Sequence, residues 1–129
     1  MTPETVRSWV ETPEEFRAWL LSRPVGAEVG LTCEQCRCPL ANYLRERMKE
    51  TGAESVWVHV TAGLIVCHIH QDGNPSLPLL AQVEIPDPPA WASLFVERID
   101  GVDEVSRVVK RERALRCLTG ATPSNVEGE

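Results

Sequence analysis

Over its first twenty-two residues the chain places apolar side chains three and four apart: Val6, Trp9 and Val10, then Phe16, Trp19 and Leu20. That spacing gathers each trio on one side of a helix and predicts two short helices, each turning a stripe toward a core. The segments 2–10 and 12–20 are near-repeats that open on Thr-Pro-Glu. A Thr cap, Pro in the first helical position and Glu behind it suit the positive end of a helix, and Thr12 with Glu15 fits a capping box. Pro13 separates the two helices.

The rhythm changes after Pro24. An extended stretch is expected over 25–32, followed by the cysteine-rich run 33–38 and a helix from Pro39 to about 51, with Leu40, Tyr43, Leu44 and Met48 on its inner face and Gly52 ending it. From 54 to 70 apolar and polar residues alternate on either side of Ala62-Gly63, which predicts an antiparallel hairpin. With the tight turn at Ala62-Gly63, Val56, Val58, Val60, Ile65, Cys67 and Ile69 share one apolar face. Trp57, His59, Val66, His68 and His70 then share the other, so all three histidines lie on one side of one hairpin. Five prolines between 71 and 90 leave only 79–85 free for a short edge strand. A helix restarts after Asp87, with Trp91, Leu94, Phe95 and Ile99 as its buried stripe and Gly101 as its stop. The last periodic segment, 102–118, reads as a helix that buries Val105, Val108, Val109 and Leu115, and 119–129 reads as a flexible polar tail.

These elements make one α+β domain over 1–118, with four to five short helices packed on a small antiparallel sheet formed by the hairpin and an edge strand. At 129 residues the chain is long enough to bury a sufficient core without disulfides or metal. Five cysteines cannot all pair within the chain. With no export signal or membrane-length apolar run, reduced thiols in the cytoplasm are expected. The basic residues are 11 Arg and only 2 Lys, a bias that accompanies GC-rich bacterial or phage genes. A net charge of −6 argues against a general nucleic-acid binder.

Four features carry candidate chemistry or binding. Cys33 and Cys36 have the C-x2-C spacing that presents two thiolates to zinc, with Cys38 beside them and His68 and His70 as candidates for a second pair. Parity leaves Cys67 out of that second pair, because it points away from both histidines, which share a face. The same cysteines could serve thiol redox chemistry, since Cys38 sits at a helix start whose positive end favours a thiolate. The three histidines could also form an open metal site, although no general base accompanies them. Arg107, Lys110 and Arg111 form a basic stripe on the expected last helix, a steering surface for an acidic partner. Trp9 and Trp19 recur at the same place in the two near-repeats and are candidate partner contacts if they are not core. No serine–histidine–aspartate order, phosphate loop or zinc-protease helix is present. The favoured expectation is therefore a small non-catalytic intracellular protein, without a cofactor, that binds an unknown protein partner as an adaptor, regulator or inhibitor. A zinc-binding module stands second and a thiol enzyme third.

Overall fold

The structure, a computed structural model, describes residues 3–51, 57–74, 76–101 and 107–119. Its elements follow the chain as α1 (Pro3–Val10), α2 (Glu14–Ser22), β1 (Glu28–Leu31), α3 (Pro39–Glu50), β2 (Trp57–Val60), β3 (Leu64–His70), β4 (Leu79–Pro86), α4 (Ala90–Gly101), β5 (Val108–Lys110) and α5 (Arg111–Thr119). Strands β2, β3 and β4 form an antiparallel sheet in that order, and β1 pairs with β5 in a second, two-stranded antiparallel sheet. This is the α+β architecture that the patterning predicts.

The hairpin register follows from parity. Val58 stands opposite Cys67 and Val60 opposite Ile65, and all four side chains are buried. Ile69 continues that face, only partly buried where the pairing of β3 with β4 shifts register. Val56 lies outside the described residues. Strand β4 adds Val83 and Ile85 to the buried face and forms the edge of the sheet.

Helices cover that apolar face. Val6, Trp9 and Val10 of α1 and Phe16 and Leu20 of α2 are buried as their stripes require. Phe16 sits at the centre of an aromatic cluster, with its ring centroid 5.0 Å from Phe95, 5.3 Å from Tyr43, 5.9 Å from Trp91 and 6.0 Å from Trp19. The polar tips of these rings have a second task. The Tyr43 hydroxyl donates to the Trp9 carbonyl at 2.9 Å and the Trp91 indole N–H to the Val10 carbonyl at 2.8 Å, which satisfies acceptors that the end of α1 leaves free.

Four expectations are corrected. The segment expected as one helix over 102–118 contains a strand: Val108–Lys110 pairs with β1 and α5 starts only at Arg111. Both valines are β-branched and favour strand geometry, and β1 offers them an edge to pair with. Arg111 N–H then donates to the Ala27 carbonyl at 2.8 Å, which continues the pairing of the two segments into the start of α5. On α4 the buried stripe is Ala92, Phe95, Val96 and Ile99, while Leu94 is 44% exposed. The helix is apolar on two overlapping faces, and packing selects one. Thr12 does not cap α2, which has Pro13 at its N-cap and no side-chain cap bond, and Glu15 instead reaches Arg47 at 3.1 Å. Thr119, expected to begin the tail, is the last residue of α5. Val105 and residues 120–129 lie outside the described residues.

Candidate binding surfaces

The cysteine run is a compact, strapped loop. Cys33 adopts a left-handed backbone (φ 57°), and its N–H donates to the Asp100 carboxylate at 2.8 Å. Thr32 N–H donates to the Arg107 carbonyl, and the Arg107 guanidinium returns to Glu34 at 2.8 Å and to the Thr32 carbonyl at 3.3 Å. At the end of the loop Cys38 caps α3, its sulfur accepting from Ala41 N–H at 3.5 Å. Here burial outweighs the helix end. Desolvation pushes the Cys38 thiol up to about 11 despite the amide contacts from Ala41 and Leu40, so at neutral pH it is a protonated cap rather than a nucleophile. Burial also pushes Cys67 up to about 12. Cys33 is exposed and Cys36 half-buried. Among the described residues no group of three or more His, Cys, Asp or Glu side chains is placed to share a metal ion.

The outer face of the three-stranded sheet carries the rings that parity assigns to it. Trp57 stands opposite His68, with the ring centroids 4.7 Å apart, and its centroid is 5.0 Å from that of His59. His68 and His70, two residues apart on β3, have centroids 6.2 Å apart. One nitrogen of His70, Nδ1, lies 3.0 Å from the Leu77 carbonyl, which fixes that ring as the N–H donor on this side. Beside them β4 presents Gln82, opposite His68, and Glu84, opposite Val66. Leu80, of the same parity, is 65% exposed, Leu79 is 45% exposed, and Trp57 itself is 39% exposed.

A second surface was not singled out by the sequence. A cleft of about 560 Å³ opens between the end of α2, strand β1 and the polar face of α3, lined by Trp19, Arg23, Glu28, Val29, Gly30, Leu31, Arg37, Asn42, Arg45, Glu46 and Lys49. Its cations come from the residue that caps α2, the loop before α3 and α3 itself, so no local run of sequence marks it. The only local signal is Arg45 and Lys49, four apart on α3.

The residues expected to meet a partner are largely engaged within the chain. Trp9 is 6% exposed beneath the Arg47 guanidinium, which lies 5.4 Å from its ring centroid. Trp19 is half-buried, donates its indole N–H to Glu46 at 3.1 Å and is covered by Arg23. Arg111 donates to the Arg23 carbonyl at 3.0 Å and pairs with Glu112. Lys110 remains exposed on β5. Arg107, Lys110 and Arg111 therefore do not form a stripe along one helix. Arg113, two residues beyond Arg111, is buried and donates to the Ile99 carbonyl near the end of α4.

Compared with family models, curated proteins and solved structures, the chain matches none of them. Among the described residues no helix is long and apolar enough to cross a membrane.

Proposed function

We propose that this protein is a non-catalytic binding protein that docks another protein on the outer face of its three-stranded sheet. One observation carries the reading: Trp57 stands exposed at the centre of a contiguous cluster with His59 and His68, on the face turned away from the core. A solvated sheet face ordinarily carries Thr, Lys and Glu, and a large ring there leaves apolar area in water. Such area is offset when a partner covers it, and tryptophan is enriched among residues that dominate interface energies. The exposed leucines at the start of β4 extend the same apolar surface, and Gln82 and Glu84 give it a polar side.

The reading is tested by placing a photocrosslinking amino acid at position 57 in cells that express the protein, with Val25, 80% exposed on the turn before β1, as the control position. A discrete covalent adduct with one protein, formed from position 57 and not from position 25, supports the docking face. Equal or absent adducts at the two positions refute it.

A further inference from the structure

The cleft between α2, β1 and α3 has a sign opposite to that of the whole chain. Of its two carboxylates, Glu46 is already engaged, accepting from the Trp19 indole and pairing with Arg23 at 3.5 Å. Glu28 remains at the exposed edge of β1. Against it stand three cations whose charge is not cancelled. Arg45 is pinned to the Asn42 side-chain oxygen at 2.7 Å and to the Cys36 carbonyl, both neutral acceptors, so its guanidinium is positioned without being neutralised. Arg37 and Lys49 have no carboxylate partner among the described residues. In a protein of net charge −6, this concentrates positive potential in a recess that binding would partly desolvate.

The apolar lining of the cleft comes mainly from Trp19 and Leu31, both half-buried, since Val29 is only 4% exposed. The frame is also held in place. Asn42 donates to the Val29 carbonyl at 2.8 Å, Leu31 N–H donates to the Arg37 carbonyl at 2.9 Å, and Gly30 lies so close to residues 37–39 that the strand cannot shift toward them. Such a frame reduces the ordering cost of binding. A volume of about 560 Å³ exceeds what a bare inorganic ion fills and suits a small organic molecule.

From this we propose that the cleft binds a small organic anion, with its carboxylate or phosphate held by Arg37, Arg45 and Lys49 and its apolar body laid against Trp19 and Leu31. The site is separate from the outer sheet face and does not depend on the docking reading. Phenyl phosphate, benzoate and inorganic phosphate serve as probes, titrated into the 15N-labelled full chain and followed at the Trp19 indole N–H and the Gly30 amide. The indole signal is assigned by its loss in Trp19→Phe. Phenyl phosphate or benzoate should shift both signals saturably, more weakly as salt is raised, and the double variant R37E/K49E should weaken binding at least tenfold. Both replaced side chains are exposed, so the variant keeps the fold, which its amide spectrum verifies. Binding that is absent for both organic probes, or unchanged in the double variant, overturns the proposal. Inorganic phosphate that binds as tightly as phenyl phosphate overturns the apolar half of the site. Comparison of phenyl phosphate with benzoate identifies the preferred anionic group.

Discussion

Gly30 is the position where the fold around the cleft tolerates least. A methyl group added there would lie 2.6 Å from the Arg37 carbonyl oxygen, 2.6 Å from the Pro39 nitrogen and 2.8 Å from the Pro39 ring. Two of these atoms are backbone and the third belongs to a closed ring, so no flexible side chain can yield. Either β1 must move off the loop, losing the Leu31 to Arg37 hydrogen bond and disturbing the pairing with β5, or the loop must lift from the N-terminus of α3. Overpacking of this kind costs roughly 1–3 kcal/mol, and rigid neighbours put Gly30→Ala at the upper end. At about 3 kcal/mol the folding equilibrium falls roughly a hundredfold, since each 1.4 kcal/mol is a factor of ten. The melting temperature should fall by roughly 10 °C. Gly63→Ala is the matched control, because its added methyl meets nothing within 4 Å. That variant should be neutral or slightly stabilising, by up to about 1 kcal/mol. Urea titrations followed by circular dichroism compare the two. A Gly30→Ala variant within about 0.5 kcal/mol of the parent would refute the close approach of β1 to residues 37–39, a spread expected only of surface substitutions away from such features.

The buried thiols give a second expectation: in the native protein at pH 8 a thiol reagent should modify Cys33 and Cys36 and spare the buried Cys38, Cys67 and Cys117, with all five modified in denaturant, as mass spectrometry of the labelled peptides would read. Because burial raises the thiols of Cys38 and Cys67, the folded state holds their protons more tightly than the unfolded chain does. Their contribution is fully present below the ordinary thiol value of 9.0 and should be lost as pH rises toward about 11, so denaturation midpoints should fall over that window. At Glu112 partial desolvation opposes ionisation, but the amides of Glu112 itself and Gly26 and the Arg111 guanidinium outweigh it and hold the carboxyl below its ordinary range. Stability from this group is therefore present above the unfolded carboxylate range and lost as pH falls through the folded one. Glu112→Gln should destabilise the protein at pH 7, and the gap to the parent should narrow as pH falls below the ordinary carboxylate range, with equal midpoints at pH 7 counting against the contact.

Much of the fold was legible because the hairpin and the first helices use strong local signals. Alternation around Ala62-Gly63 leaves one register that keeps Val58, Val60, Ile65 and Cys67 together, and that choice also sends the three histidines outward. Helices α1, α2 and α3 each carry a single apolar stripe, so their buried faces admit one reading. Helix α4 is different: Trp91, Ala92, Leu94, Phe95, Val96 and Ile99 make two overlapping stripes, and only tertiary packing leaves Leu94 in water. Strand β5 is three residues long, too short for a period of two to register. Val105, Val108, Val109 and Leu115 fit helical spacing, and the partner that draws Val108–Lys110 into a strand lies about eighty residues earlier in β1. The burial of Arg113 and the cationic cleft share that origin. Each depends on elements brought together by the fold, so neither leaves a pattern in a short window of sequence.

The proposed docking of a protein on the outer face of the three-stranded sheet is tested most directly by the affinity of the partner captured at position 57. Calorimetric titration of that partner into the parent, Trp57→Ala and Arg107→Gln/Lys110→Gln/Arg111→Gln proteins measures it. Trp57 is 39% exposed and off the core face, so its truncation should leave the melting temperature close to that of the parent. A central aromatic contact contributes about 2 kcal/mol or more, which corresponds to roughly thirtyfold weaker binding for Trp57→Ala. The triple variant should bind like the parent at moderate salt. Binding unchanged by Trp57→Ala, with the loss appearing instead in the triple variant, would contradict the account and move the docking surface to the basic residues around β5.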